Sequence, residues 1–543
     1  MRLPEMKYAD RISKHTQVQF GGLNHSLGAA DGELWDMRNL TSDHAPLLAT
    51  RSARWLFRKL GKGGGLYAWE KLCWVDGTQF FYDGAPKGAV SEGEKVFGCL
   101  SPYIVILPDK CYYNVETDEF GSLESHWPGF GALVFMNGEI NGGKAAANAV
   151  RWYGVNWEDY FRVGDAVTIS GCTQNPGNNQ TLVIRQIDGD KMYFAENSFV
   201  LGGEDGKSEY TDIGDITIAR TVPDIKFVCE HEGRLWGCSD TTVYASKWMD
   251  IFNWNVQEGI AEDSWSVDTG SAGAFTGCIS FGGYPVFFKE DHIYKVYGSY
   301  PSNYELLGSA SLGLAAGSHG SLAIAGEVLF YLSRSGICAY TGGIPQPMGQ
   351  AFGTERFSNA VAGSDGLKYY VSMCCGEDDW RLYVYDTQKG LWHKEDETRA
   401  THFARMDGVL YCLNAAGEIL MLGNVTAPPE GAVREENLTW MAEFADFSDM
   451  DPNKKGVGKL QLRLRLDPGA SASVFIQFDS DGIWNQVGRV MDEGTKRSYY
   501  LPIIPRRTDH YRLKIEGVGG CTVYSLVRES YSGSELRAKH RRN

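Results

Sequence analysis

From about residue 64 to residue 423 one short pattern keeps returning: an apolar strand of five or six residues, a polar turn, and a second strand that ends near a tyrosine. The instances are "KLCWVDGTQFFYDG" (71–84), "YIVILPDKCYYNV" (103–115), "RLWGCSDTTVYAS" (234–246) and "YPVFFKEDHIYKVYG" (284–298). "VLFYLSRSGICAYTG" (328–342), "KYYVSMCCGEDDWRLYVYDTQKGLWHKED" (368–396) and "GVLYCLNAAGEILMLG" (408–423) continue the series. Each reads as a β-hairpin whose turn carries Asp76-Gly77, Ser335-Gly336 or a similar pair. Tyr244, Tyr294, Tyr340 and Tyr385 follow one another at intervals of about 45 to 50 residues, the length of one four-stranded propeller blade. One small sheet cannot cover its own apolar faces, whereas stacked blades bury both and leave only short edges. The pattern predicts an all-β chain built on a β-propeller of six to eight blades.

Composition agrees. Gly is abundant at 65 residues and aromatics reach 13%, with 28 Tyr and 15 Trp, a mixture that suits pleated surfaces joined by many short turns. A length of 543 residues predicts two to four domains.

The spacing breaks once, between Tyr113 and Tyr244. Within the gap, "YFRVGDAVTISGCTQNPGNNQTLVIRQIDGDKMYFAENSF" (160–199) is a run of short strands, with Val167 and Ile169 alternating with Thr168 and Ser170. A small β-barrel inserted at a blade loop is expected here. After the Pro/Gly-rich "GNVTAPPEGAV" (423–433), "KLQLRLRLD" (459–467) alternates strictly, with Leu460, Leu462, Leu464 and Leu466 on one face and Gln461, Arg463 and Arg465 on the other. With "SVFIQFDSDGIWNQVGRV" and "HYRLKIEGVGGCTVYSLVRES" it predicts a C-terminal β-sandwich. The expected organisation is an N-terminal segment (1–63) serving propeller closure or docking, first blades over 64–127 and a barrel-like insertion over 128–221. The remaining blades follow over 222–425, a sandwich over 430–535 and a basic tail over 536–543.

The formal charge of −16 argues against a chain that grips nucleic acid by neutralising phosphates. The twelve cysteines fall at irregular positions, mostly in apolar strand-like runs, and no C-x-x-C pair occurs. Buried free thiols of a reducing compartment, without zinc, are expected. The opening "MRLPEMKYADRISKHTQ" has no apolar h-region and no run is long enough to span a bilayer, so neither export by a standard signal nor stable membrane insertion is expected.

Catalytic patterns are lacking: no G-x-x-x-x-G-K-[ST], no G-x-S-x-G and no H-E-x-x-H. His292 and His393 stand beside acidic residues and read as solvated turn histidines. Glu377, Asp378 and Asp379, like Glu395, Asp396 and Glu397, read as solubilising loops rather than a glycosidase carboxylate pair. "DSDGIW" (479–484) has too few spaced oxygen ligands for calcium, and a hairpin turn at Asp481-Gly482 explains it. Most Trp and Tyr side chains read as blade core; "IFNWN" (251–255) is the best exposed candidate for a sugar platform. No catalytic, cofactor or metal residue is assigned, no cofactor is expected, and the chain is expected not to be an enzyme.

Several segments resemble a known family. "FGGLNHSLGAADGELWDMRNLTSDHAPLLATR" (20–51) resembles the opening of phage tail and head–tail proteins, in which a G-L-N stretch leads to a D-M-x-N-L box and then a Pro and an Arg. "VPDIKFVCEHEGRLWGCSDTTVYASKWMDIFNWNV" (222–256), "GYPVFFKEDHIYKVYGSYPSNYEL" (283–306) and "YLPIIPRRTDHYRLKIEG" (500–517) are similar to the core and closing domain of the bacteriophage tail, or packaged-DNA stabilisation, protein family. The resemblance implies a propeller-type tail nozzle or hub in the virion, assembled in the bacterial host cytoplasm. It implies a hexameric homo-oligomer, partners on the portal and adaptor side and among tail fibres, and transient passage of phage DNA. An acidic balance would suit such a conduit, because carboxylates facing DNA repel phosphates. A host-surface propeller that binds or cleaves carbohydrate is the alternative.

Overall fold

The computed structural model describes residues 11–26, 28–201, 209–447, 454–491, 494–504 and 506–532, so the expected basic tail (536–543) lies outside the described residues. The protein is all-β: the described residues form strands and short 3-10 turns, with no α-helix among them. The chain divides into two compact units, Gly61–His319 and Met1–Leu60 with Gly320–Asn543.

The first unit holds four small antiparallel sheets, each of four strands in chain order. They run from Gly63–Trp69 to Ala85–Ala89, from Val96–Leu100 to Glu119–Ser122, from Phe227–His231 to Trp265–Asp268 and from Gly277–Phe281 to Glu305–Ala310. The hairpins legible in the sequence are the second and third strands of these sheets. Tyr82, Tyr113, Tyr244 and Tyr294 all lie on third strands. The turns between second and third strands use left-handed residues, Gly77 at φ +61° in the first sheet and Asp240 at φ +48° in the third, which tight hairpins require.

Burial explains why the strands read as unbroken apolar runs. Cys73, Val75 and Phe80 of the first sheet pack with Ile104, Ile106 and Tyr113 of the second. The alternate residues Val105 and Leu107 of that same second sheet pack with Leu235 of the third. Trp236 and Cys238 of the third, one step along the strand, pack with Phe287, Tyr294 and Val296 of the fourth. The inner strands of the second and third sheets thus bury both faces, one against the preceding sheet and one against the next, at about 1.5–3 kcal/mol for each large side chain removed from water.

Between the second and third sheets the chain builds a seven-stranded sheet around its own core of Phe135, Trp157, Ile169, Ile216 and Ile218. Its long strands are Ser125–Ile140 and Glu209–Arg220. Its two edges, Thr181–Val183 and Gln186–Asp188, are halves of one run of chain joined through Ile184 and Arg185, so the sheet curls in barrel-like fashion. Val167 and Ile169 face the core, while Thr168 and Ser170 bond outside it to Thr181 and Thr217.

The second unit carries three more small sheets. Two have four strands, from Ala323–Ala325 to Gln346–Pro347 and from Ser358–Ser364 to Leu391–Asp396. The last joins Ala400–Met406, Val409–Asn414 and Glu418–Leu422 to Trp55–Lys59 from the N-terminal segment, with Val433–Arg434 beyond it. Where the last two sheets meet, a Cβ at Gly363 would lie 2.5 Å from that of Phe403, an approach only glycine permits. The C-terminal region forms two further sheets. Leu460, Leu462, Leu464 and Leu466 of Lys455–Leu466 are buried, and the two sheets meet where Arg528 lies 3.8 Å over the Phe447 ring and Leu501 packs on Gly488. The N-terminal segment joins both: Leu34–Arg38 pairs with Thr439–Phe444, and Arg11–Gln17 pairs with Cys521–Ser532.

One buried ionic cluster ties these parts together. Arg54 contacts Glu395 and Asp396, each at 2.7 Å, and Arg51 contacts Glu435 at 2.7 Å and donates to Asn39. The expectation that Glu395 and Asp396 sit in solubilising loops is therefore corrected: both lie on the strand Leu391–Asp396, with Glu395 buried, because two guanidiniums from the N-terminal segment compensate their charge. Glu397 alone keeps a surface role, paired with Arg38 at 2.5 Å. Arg54→Ala, which leaves Glu395 and Asp396 only the longer contacts of Arg51 at 3.7 and 3.8 Å, is expected to lower unfolding stability by about 3–5 kcal/mol, read as a fall in the urea midpoint.

Candidate functional site

The sequence-predicted positions scatter. Glu377, Asp378 and Asp379 occupy the exposed turn after Lys368–Cys374, where Asp379 is held by Arg381 at 2.7 Å and Asp378 accepts from Trp380 Nε1. His292 opens the strand His292–Tyr297 and pairs with Asp291. His393 is not a solvated turn residue. It lies mid-strand at 6% exposure, with Nδ1 buried and without a hydrogen-bond partner. Burial is the main force holding its pKa down, to about 4, with Lys368 adding to it. A histidine kept neutral in the fold takes up its proton on unfolding. Its contribution is thus complete above its ordinary pKa near 6.5 and is lost as pH falls toward 4. His393→Gln is expected to flatten that part of the stability profile, measured as thermal midpoints between those two pH values.

"IFNWN" is likewise not an exposed platform. Ile251, Phe252, Asn253 and Trp254 are all buried, and the segment joins the barrel-like sheet to the third small sheet. Asn253 Oδ1 accepts from the Ala166 N–H at 2.8 Å, and its amide donates to Asp165 at 3.1 Å and to Asp250 at 2.7 Å. Asp165 in turn holds Arg220, whose guanidinium lies 4.9 Å from the Phe252 ring centre. Asn253→Ala leaves the Ala166 donor and one Asp165 bond unmet, and is expected to cost about 1–3 kcal/mol in denaturant unfolding.

Three arrangements that local sequence patterns did not disclose remain. The first is a groove of about 320 Å³ between the third and fourth small sheets, lined by His231, Glu232, Trp236, Tyr284, Tyr297 and Tyr304. The rings of Tyr284 and Tyr297 stand 4.8 Å apart and those of Trp236 and Tyr304 5.1 Å apart, and Glu232 reaches into solvent. Aromatic walls with a carboxylate at the rim suit a sugar ring. The second is a polar cleft of about 1200 Å³ in the other unit, bordered by Arg51, Trp55, Glu435, Arg465 and Asp467.

The third lies at the "DSDGIW" turn. Ser480 Oγ is 2.8 Å from His510 Nε2, and His510 Nδ1 is 2.5 Å from Asp509. The order of groups is that of a Ser-His-Asp relay. Yet Asp509 is half exposed, and Ser480 stands on an open turn, so water competes for both bonds. Asp479, Asp509 and His510 also bring one ligand atom each within 4.8 Å of one another. Burial alone would raise the Asp479 carboxyl, but bonds from Thr508 and the Asp509 N–H outweigh it and hold the pKa below the usual value. With left-handed backbone at Asp479 (φ +49°) and Ser480 (φ +52°), the cluster acts as a stapled hairpin turn.

No protein-family model and no curated protein matches the chain. Among solved structures it is similar to the computationally designed Ika8 protein (10% identity, 68% of this chain, 100% of that one, TM-score 0.33). It is also similar to Raptor from Chaetomium thermophilum (12%, 70% and 30%, 0.32) and to BamB from Moraxella catarrhalis (9%, 70% and 98%, 0.26). At TM-scores this low the likenesses carry no argument about function.

Proposed function

We propose that the chain is a structural, non-catalytic component of a bacteriophage tail. In this reading the seven small sheets are the blades of a β-propeller, and copies of the chain close into a hexameric ring, a nozzle or hub. That ring retains packaged DNA and passes it during ejection. The observation that carries the reading is the burial pattern: inner strands send alternate residues into the preceding and the following sheet, as blades around an axis do. Addition of Trp55–Lys59 to the last small sheet supports the reading, because a strand lent by the N-terminal segment to the last blade is a way for a propeller to close. The sequence resemblance to tail proteins supplies the biological setting, with portal, adaptor and fibre proteins as neighbours and the virion as location. No helix among the described residues is long and apolar enough to cross a membrane.

The aromatic groove favours a second reading, in which the same scaffold binds a host-surface glycan through Tyr284, Tyr297 and Glu232. Deleting the gene from the phage that encodes it separates the two. The conduit reading predicts heads that fill and then lose their DNA, and an antibody to the chain that labels one end of intact tails. Stably filled particles that merely fail to adsorb would overturn it in favour of glycan binding.

A further inference from the structure

Charge is unevenly spread over this acidic chain, and one sheet face carries the opposite sign. The strands Arg11–Gln17, Cys521–Ser532, Lys455–Leu466 and Arg497–Pro502 lie side by side in one sheet. Register fixes which side chains share its outer face. Lys459 and Lys14 both pair with Glu529, Gln461 pairs with Tyr500 and Val527, Arg463 with Ser498 and Ser525, and Arg465 with Thr522. The residues between them, Leu460, Leu462, Leu464 and Leu466, are buried on the opposite face. Lys14, Lys459, Arg463, Arg465 and Lys496 are exposed. Glu529, 3.5 Å from Lys14, and Asp467, 4.0 Å from Arg465, are the carboxylates that partner this face among the described residues. Alternate residues along a strand stand roughly 6.5–7 Å apart, so the cations form a shallow, regular array.

The tyrosines on this face decide what it suits. Lys459 Nζ lies 4.5 Å over the Tyr500 ring and Lys496 Nζ lies 3.6 Å over Tyr524. An ammonium group covers one π-face of each ring, which leaves less platform for a stacked base. Each ring instead steadies a lysine head, reducing the rotamer freedom that a phosphate contact must remove.

We infer that this face binds the phosphate backbone of double-stranded DNA without reading its sequence, whether or not copies of the chain form a ring. The net charge of −16 excludes a general grip, and the contact is confined to these rows. Anisotropy of a labelled duplex of about thirty base pairs, titrated with the purified full chain, tests it. With about four phosphates neutralised, affinity is expected to fall about a hundredfold between about 50 mM and 200 mM salt. The variant Lys459→Glu/Arg463→Glu/Arg465→Glu is expected to lose at least about tenfold in affinity at the lower salt. Its circular dichroism and thermal midpoint check the fold, and the matching triple Gln variant serves if the Glu variant is destabilised. Two unrelated duplex sequences should bind alike.

Absence of binding at low salt, or equal binding by wild type and both variants, overturns the assignment. So does single-stranded DNA binding more than about tenfold tighter than duplex, which would mean that the rings stack on bases. If the variants alter sedimentation of the chain while duplex binding is absent, the face belongs to an acidic second copy instead. None of these readouts uses virions, so they stand apart from the outcome for the tail reading.

Discussion

The second unit depends on a buried charge cluster more than on any single apolar contact. Arg51 and Arg54 are almost wholly buried, and their partners Glu395, Asp396 and Glu435 stand more than 300 residues further along the chain. Moving such groups out of water costs several kcal/mol per ion, and only a fully satisfied network repays it. Burial opposes the charge on Arg54, but Asp396 and Glu395 more than offset this and raise its pKa. The same arginines hold Asp396 below its usual value against its burial. Because the cluster joins the N-terminal segment to the edge of Leu391–Asp396, it aligns the neighbouring Trp55–Lys59 to complete the last small sheet. A mismatched register would leave ions buried and unpaired, so the cluster specifies one arrangement as well as stabilising it.

Apolar packing supplies the repeated theme around that clasp. In the first unit the cores alternate along the inner strands of the second and third sheets, so each of these two sheets is covered by a neighbour on both faces. The barrel-like sheet differs in having a complete core of its own, and it is attached through polar contacts, Asn253 with Asp165 and Ala166 and Arg220 with the Leu123 carbonyl. That attachment needs directional bonds, since the apolar faces on both sides are already used. Sheets that cover one another and an insertion joined at one junction suit a scaffold carrying separate surfaces.

Much of this was legible locally. Hairpins, turn residues and the alternation of Leu460, Leu462, Leu464 and Leu466 depend on neighbours a few residues apart, and each appears where the pattern put it. The third-strand tyrosines repeat because each sheet sets the same environment at that strand. What stayed hidden was non-local. Glu395 and Asp396 look like any acidic pair beside a turn until Arg54 arrives from the far end of the chain. His393 carries polar neighbours in sequence yet is sealed by strands on either side, and Phe252 looks unattached until Arg220 and Arg162 cover its ring. The meeting of Ser480 with His510 and the basic sheet face are likewise products of pairing between distant strands. Composition averaged that face away, because a net charge says nothing about where the cations gather.

The most direct test of the central claim is negative-stain electron microscopy of the purified chain at micromolar concentration. The account predicts six-fold rings with a central opening. Uniform single particles without rings, at any concentration that can be reached, would contradict it.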